Sequence, residues 1–322
     1  NCSSLKRINI PSSVQLIGDS SFYGCSSLTS LIIPVSVKSI NSFAFYGCSL
    51  IKEVIIHSNL TTIEDSAFSE CSSLSQILIS STISYIGSFA FKGCSSLTDI
   101  NIPPSVTFIG NSTFCGCSLL TRITIPKTID VIKDSTFSNC SSLKQIIIPS
   151  SVHSIGMFAF YGCKSLTDIT IHESITFIGD YAFCGCSSLE QTQITEYHNL
   201  EKISDSCFKN CKKLSVIAIP YTCTVIEKNA FLNCSQLSDF YLSPQIKIHP
   251  DAFKGCTSLT GLNYIAYILT LYQCNLKPFP SVTWVSILYK TTNINRAFFK
   301  GCSQLTQIIL PEGVTNIDSS AF

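Results

Sequence analysis

Cysteine and histidine are the residue types of this chain that could do chemistry, and the cysteines have a fixed spacing. The 322 residues include 18 cysteines and five histidines. Thirteen of the cysteines follow one phase, with intervals of 23 residues up to Cys186: Cys2, Cys25, Cys48, Cys71, Cys94, Cys117, Cys140, Cys163, Cys186, Cys211, Cys234, Cys256 and Cys302. Thiols in such an array could form disulfides, bind a metal ion or take part in redox reactions.

Three roles stay open for these cysteines. Cysteines one repeat apart could approach the Cα separation of about 4.4 to 6.8 Å that a disulfide requires. We favour free, buried thiols that fill a tight corner next to glycine and donate weakly to a backbone carbonyl. Zinc has less support, because Cys115 and Cys184 make only C-G-C pairs with the next cysteine and no CxxC has a matching partner pair. We therefore predict no metal and no cofactor.

Histidine catalysis is not expected from the spacing of the histidines. Four of them fall in different repeats, and His57 and His172 stand where other repeats have proline, which indicates a turn residue. The others are His153, His198 and His249. The sequence has no G-x-S-x-G elbow, phosphate-binding glycine loop or H-E-x-x-H helix. The chain is therefore predicted not to be an enzyme; a hydrolase or thiol oxidoreductase would need a convergent polar pocket or a reactive thiol.

The elements that carry these residues are short strands. Phenylalanine keeps the same spacing as cysteine, 20 residues after each of the first eight cysteines of this phase. The best-preserved unit, CSSLTDINIPPSVTFIGNSTFCG, runs from Cys94 to Gly116. Leu97, Ile100 and Ile102 alternate with polar residues as in a half-buried strand, and a second apolar run precedes Gly110. One unit cannot bury these residues alone. The pattern predicts a β-rich solenoid of about fourteen units of roughly 23 residues, with parallel sheets and little helix.

The repeat occupies the whole chain with two interruptions. Two extra residues near Glu196 to Asn199 predict a lengthened loop, and two divergent repeats lie at about 257–301. We expect one solenoid domain over 1–322, and a fragment of a longer protein because both ends fall inside the pattern. The divergent segment is aromatic, so it is either a packed degenerate repeat or a second binding patch formed by Tyr264, Tyr267, Trp284 and Tyr289.

The repeat pattern LxxIxIPxSVxxIGxxAFxGCSS resembles the BspA-like, or Treponema pallidum type, leucine-rich repeat of bacterial and protist surface antigens. The first unit carries it through a series of residues that recurs every 23 positions: Leu5, Ile8, Ile10, Pro11, Val14, Ile17, Gly18, Phe22, Gly24 and Cys25. The resemblance implies a curved leucine-rich repeat solenoid and adhesion to host cells and matrix proteins such as fibronectin. It implies no catalytic residues.

A candidate contact surface follows from the alternation in the first strand of each unit. Side chains between the inward-facing residues should face solvent, and Ile32, Ile55 and Leu78 should form an apolar stripe with a charged rim. The alternative is that β-propensity alone fills these positions. The candidate protein-binding face consists of Arg7, Asn9, Ile32, Glu53, Ile55, Leu78, Asp99, Asn101, Arg122 and Thr124.

Charge and composition limit the kinds of partner. The net charge is +1 and only 13% of the residues are charged, so we expect no nucleic-acid partner. The apolar stretch from Leu262 to Tyr272 is about half of the ~20 residues that a membrane helix needs, so no span is expected. Two hypotheses follow for this binding domain. It is a cell-surface or extracellular adhesin that contacts a host or matrix protein, or it is an intracellular scaffold.

Overall fold

Short parallel strands alternate with tight turns in a computed structural model that describes residues 1–56, 60–194, 197–242, 246–265, 279, 282–288 and 291–322. The fold is a parallel β-solenoid of about twelve turns, built on leucine-rich repeats, and the described residues include no helix. This confirms the predicted fold class, with about twelve turns where about fourteen units were expected. The divergent segment 257–301 contains most of the residues outside the description. The chain divides into two units, 1–169 and 170–322.

Most turns of the first unit contribute one strand to each of two sheets. The first sheet, formed by the strand after the repeat leucine, consists of two paired groups. One is β2 (Ser30–Ile33), β4 (Glu53–Ile56) and β6 (Gln76–Leu78), and the other is β9 (Arg122–Thr124) and β11 (Gln145–Ile147). The second sheet consists of two paired groups. One is β1 (Leu16–Ile17), β3 (Ser39–Ile40), β5 (Thr62–Ile63), β7 (Tyr85–Ile86) and β8 (Phe108–Ile109), and the other contains β10 (Val131–Ile132) and β12 (Ser154–Ile155). All pairings are parallel and join residues 23 apart, as between β2 and β4. Neighbouring repeats therefore stack in register.

The second unit repeats this arrangement. Its first sheet consists of β15 (Val216–Ala218), β17 (Asp239–Leu242), β19 (Gly261–Ile265), β20 (Trp284–Leu288) and β22 (Gln307–Ile309), paired in that order. Its other strands are β13 (Phe177–Ile178), β14 (Lys202–Ile203), β16 (Val225–Ile226), β18 (Lys247–Ile248), β21 (Asn293–Ile294) and β23 (Asn316–Ile317). The divergent repeats thus keep paired strands at β19 and β20.

A column of phenylalanines forms the centre of the core in each unit. Neighbouring rings stack nearly parallel, with centroids 5.1 Å apart between Phe22 and Phe45 and 5.8 Å apart between Phe68 and Phe91. From Phe45 onward these rings are fully buried in the first unit. Offset stacking of this kind adds about 0.5–1.5 kcal/mol per pair to the hydrophobic burial. The predicted phenylalanine column is therefore the continuous core.

Most turns around a core phenylalanine hold two residues in the left-handed conformation. One lies two positions before the phenylalanine and includes aromatic residues, such as Phe43 with φ 57° and Phe89 with φ 60°. The other lies two positions after it and is usually glycine, such as Gly116 with φ 78°. Backbone hydrogen bonds to the next turn, such as Phe45 N to Ala67 O at 2.9 Å, hold this segment in place. These bonds offset the left-handed strain of non-glycine residues.

Gly110 directly precedes the turn at residues 111–116, and its φ is not positive. A Cβ atom at this position would collide with the backbone of Gly87 and Ser88 in the preceding turn. Glycine is required here because two backbones approach closely.

Candidate protein-binding surface

The apolar column of the first unit is formed by Ile32, Ile55 and Leu78 on three neighbouring strands. Ile32 pairs with Ile55 and Ile55 pairs with Leu78, so the three side chains lie side by side on one face of the first sheet. Ile32 is 57% exposed and Leu78 70% exposed, whereas Ile55 between them is half-buried. The predicted stripe is therefore continuous, but its middle member is less accessible than its neighbours.

The acidic column consists of Glu53 in β4, Gln76 in β6 and Asp99, which holds the same repeat position in the next turn but lies outside the strands. Glu53 and Gln76 lie two residues before Ile55 and Leu78. Glu53 pairs in register with Gln76, and all three side chains are exposed. Asp99 Oδ2 accepts a hydrogen bond from the Arg122 guanidinium at 3.0 Å, in a pair whose side chains are 54% and 77% exposed. An ion pair so accessible to water contributes at most about 1 kcal/mol. Among the described residues, Glu53 has no ion-pair partner.

A groove opens in this face where the first sheet is interrupted. The segment 97–102 was predicted to be a strand, but only Asp99 makes a bridge there, to Arg122. Within the described backbone, no hydrogen bond joins residues 76–79 to residues 99–101. A cavity of about 360 Å³ lies along this break and is lined by the acidic column, Leu78, Asn101 and the adjoining strand residues.

The other predicted residues of this face differ in their surroundings. Arg7 and Asn9 are exposed but lie before β1, outside the described strands. Thr124 is exposed in β9. Two residues with the same positions in the repeat were not included in the prediction: Gln76, which lies in the acidic column, and Ile147, which is 66% exposed in β11. The strand alternation alone would have indicated both.

The second candidate patch is described only in part. Trp284 begins β20 at the same repeat position as Glu53, and its indole covers Gly261 of β19, where a Cβ atom would overlap the ring. Tyr264 lies in β19, paired in register with Ile287. Tyr267 and Tyr289 lie outside the described residues. Glycine at position 261 therefore leaves the space that the indole ring of Trp284 occupies.

The cysteine column has the hydrogen bonding expected of free thiols. Nine Sγ atoms donate to the carbonyl of a phenylalanine in the preceding turns at 3.0 to 3.3 Å, as Cys94 does to Phe68. Burial raises the pKa of Cys48 to about 12 and the pKa of Cys223 to about 11. Burial is also the main cause of the raised pKa of Cys71 and Cys94. The raised pKa keeps these four thiols protonated near neutral pH.

A metal cluster and a membrane-spanning helix have structural requirements that can be compared with the part of the chain that the structure describes. No group of three or more His, Cys, Asp or Glu side chains is placed there to hold a metal ion. None of the helices that a membrane crossing would need occurs among those residues. Cys274 and His57 lie outside them.

The described histidines take local structural roles. His198 is buried, and its Nε2 lies 2.6 Å from the carbonyl oxygen of Ile171. It belongs to the predicted loop insertion, of which residues 195–196 lie outside the description. His249 Nδ1 accepts a hydrogen bond from the Asp251 amide at 3.1 Å, and the exposed His153 lies 3.9 Å from Asp130.

The repeat geometry agrees with comparisons to known proteins. The pattern of the BspA type leucine rich repeat region matches residues 1–121, 107–238, 153–274 and 236–322. No curated protein matches at a significant level. A leucine rich cell surface protein from Faecalibacterium prausnitzii A2-165 is 27% identical over 78% of this chain and 83% of that chain, with a TM-score of 0.48.

Two further solved structures are similar to this chain. The T. pallidum leucine rich repeat protein is 26% identical over 50% of this chain and 77% of that chain, with a TM-score of 0.47. The pneumococcal vaccine antigen PcpA is 20% identical over 96% of this chain and 80% of that chain, with a TM-score of 0.50, and supports the fold alone. Because the family pattern covers the chain from end to end, this protein belongs to the BspA type leucine-rich repeat family.

Proposed function

We propose that the chain is a non-catalytic protein-binding domain whose first sheet contacts a host cell-surface or extracellular matrix protein. The observation that carries this proposal is the apolar column. Ile32 in β2 and Leu78 in β6 are large apolar side chains that are exposed on one face of the same sheet. Exposed apolar groups gathered on a face with a polar rim are typical of protein contact sites. The resemblance of the repeat to surface antigens supports a location at the cell surface.

The test is binding of the purified chain to cultured host cells and to immobilised matrix proteins. The double variant Ile32→Asp/Leu78→Asp should bind about 10- to 100-fold more weakly, because it places charges in the centre of the contact. Leu16→Asp is the matched control, since Leu16 is 55% exposed but lies on the second sheet. Both variants should unfold within about 1 kcal/mol of the parent chain. Unchanged binding of the double variant would remove this face from the proposal.

An intracellular scaffold that uses the same face is the second candidate. It is favoured by the cysteine column, because hydrogen-bonded thiols rather than disulfides are typical of a reducing compartment. Antibody labelling of intact and permeabilised source cells separates the two. Labelling of intact cells supports the adhesin, and labelling only after permeabilisation supports the scaffold.

A further inference from the structure

The apolar and acidic columns have a fixed separation that a ligand can match. Glu53 and Ile55 are two residues apart on β4, and Gln76 and Leu78 are two residues apart on β6. Residues two apart on a strand lie on one face, about 6.6 Å from each other. An extended peptide that lies along these strands has the same period. Two of its side chains, at positions i and i+2, would therefore face the two columns together.

The groove beside β6 has acceptors for a positive group. Glu53 and Asp99 both line it, with the Gln76 amide between them. Arg122 engages one oxygen of Asp99 from the far side, and Glu53 has no cationic partner among the described residues. A guanidinium has five N–H donors in a planar fork, so it can bond carboxylates on two sides while an ammonium acts as a point charge.

The interrupted ladder adds backbone groups to the groove. Peptide groups at residues 76–79 and 99–101 are not joined to one another by hydrogen bonds within the described backbone, although neighbouring strands such as β4 and β6 are paired. A peptide backbone or a guanidinium placed in the break can bond to these groups. A ligand that supplies such partners is favoured over a purely apolar one, because covering these backbone groups without partners costs free energy.

We propose that this groove binds an extended peptide segment with an arginine and a large apolar residue two positions apart. The arginine lies between Glu53 and Asp99, and the apolar side chain covers Leu78. This inference rests on the proposed protein-binding role of the first sheet and specifies the chemistry of its partner. An acidic segment would meet two carboxylates of the same sign.

The test uses two biotinylated peptides of one composition, immobilised at high density: Gly-Ser-Arg-Ser-Leu-Ser-Gly and Gly-Ser-Arg-Leu-Ser-Ser-Gly. In an extended chain the first presents both side chains on one side, and the second presents them on opposite sides. The parent chain should bind the first about tenfold more tightly. A third peptide with Glu in place of Arg should bind no better than the second.

Substitutions in the protein, rather than in the peptide, test the same contact. Glu53→Gln should weaken binding of the first peptide about five- to tenfold, because it removes a charge-assisted hydrogen bond. Asp19→Asn, which removes an equal charge from an exposed turn after β1, is the control and should bind as the parent does. Equal binding of the two peptides, or parent-like binding by Glu53→Gln, would overturn the inference. If Ile32→Asp/Leu78→Asp loses cell binding while the peptides are not distinguished, the proposed function stands and this inference fails.

Discussion

Alkylation of the cysteine column measures whether the buried thiols are as unreactive as their hydrogen bonding implies. The thiolate is the form that reacts with an alkylating reagent. With a pKa of about 12 instead of its ordinary value near 9, Cys48 at pH 8 is about 0.01% thiolate rather than about 10%. The ionisation of this thiol alone therefore slows its alkylation about a thousandfold, before any steric protection by burial.

The assay follows iodoacetamide labelling of each cysteine-containing peptide by mass spectrometry, in native buffer and in guanidinium chloride at the same pH. Cys2 is exposed and serves as the internal reference, while Cys48 is fully buried and donates to the carbonyl of Phe22 at 3.2 Å. We expect Cys2 to react within minutes and Cys48 to react only at the rate of unfolding. In the denaturant the two rates should converge.

Rapid native labelling would refute this reasoning. If Cys48 reacts within tenfold of the rate of Cys2 at pH 8, either its pKa is not raised or the turn opens readily. Such a thiol would also reopen the hypothesis of a thiol oxidoreductase, which requires a reactive group.

Three further predictions concern stability and can be measured by urea or thermal unfolding. Phe114→Ala should cost about 3–5 kcal/mol, because a fully buried ring with stacked neighbours on both sides is lost; a cost below 1 kcal/mol would contradict the core assignment. Gly110→Ala should destabilise by about 1–3 kcal/mol through its clash with the preceding turn, whereas Gly18→Ala, with open space at its Cβ, should change stability by less than about 1 kcal/mol. The raised pKa of Cys48 means that the folded state holds the thiol proton more tightly than the unfolded state does. The contribution of this thiol to the free energy of unfolding is therefore complete below about pH 9 and is lost as the pH rises towards about 12. An unfolding temperature that does not fall between these pH values would contradict this prediction.

The sequence predicts the two columns of the core because their residues recur at one spacing. Stacking of Phe114 on Phe91 and Phe137 requires only that each turn places the same residue at the same point. Donation from Cys117 to Phe91 follows from the same register. Periodic side chains therefore determine the fold class and the inward-facing residues.

The interruption of the first sheet could not be predicted in this way. The unit from Cys94 to Gly116 is the best-preserved repeat, yet its first run makes a single bridge at Asp99. Hydrogen bonds between turns depend on the local spacing and orientation of the backbones, to which the order of side chains is a poor guide. The groove at this break was therefore absent from the expected site, although Asp99 and Asn101 were assigned to the face.

The sequence pattern also does not predict which residues adopt the left-handed backbone conformation. Phe43 and Phe89 adopt positive φ, which sequence preference reserves for glycine or asparagine. The conformation is imposed by hydrogen bonds from the next turn, such as Phe89 N to Asn111 O at 2.8 Å. A contact 22 residues away decides it, and no local preference reveals such a contact.

The hydrogen bond from cysteine to the phenylalanine carbonyl joins equivalent points of successive turns, so the chain can become longer or shorter by complete repeat units. The two residues are 26 positions apart in the regular turns, 28 apart between Phe183 and Cys211, and 25 apart between Phe231 and Cys256, and the bond is kept in all three cases. Insertions and deletions of one or two residues are thus absorbed in the intervening loops. Gain or loss of a complete unit by gene duplication or recombination would join equivalent points of the register, so copy number can vary between descendants without a new core having to evolve.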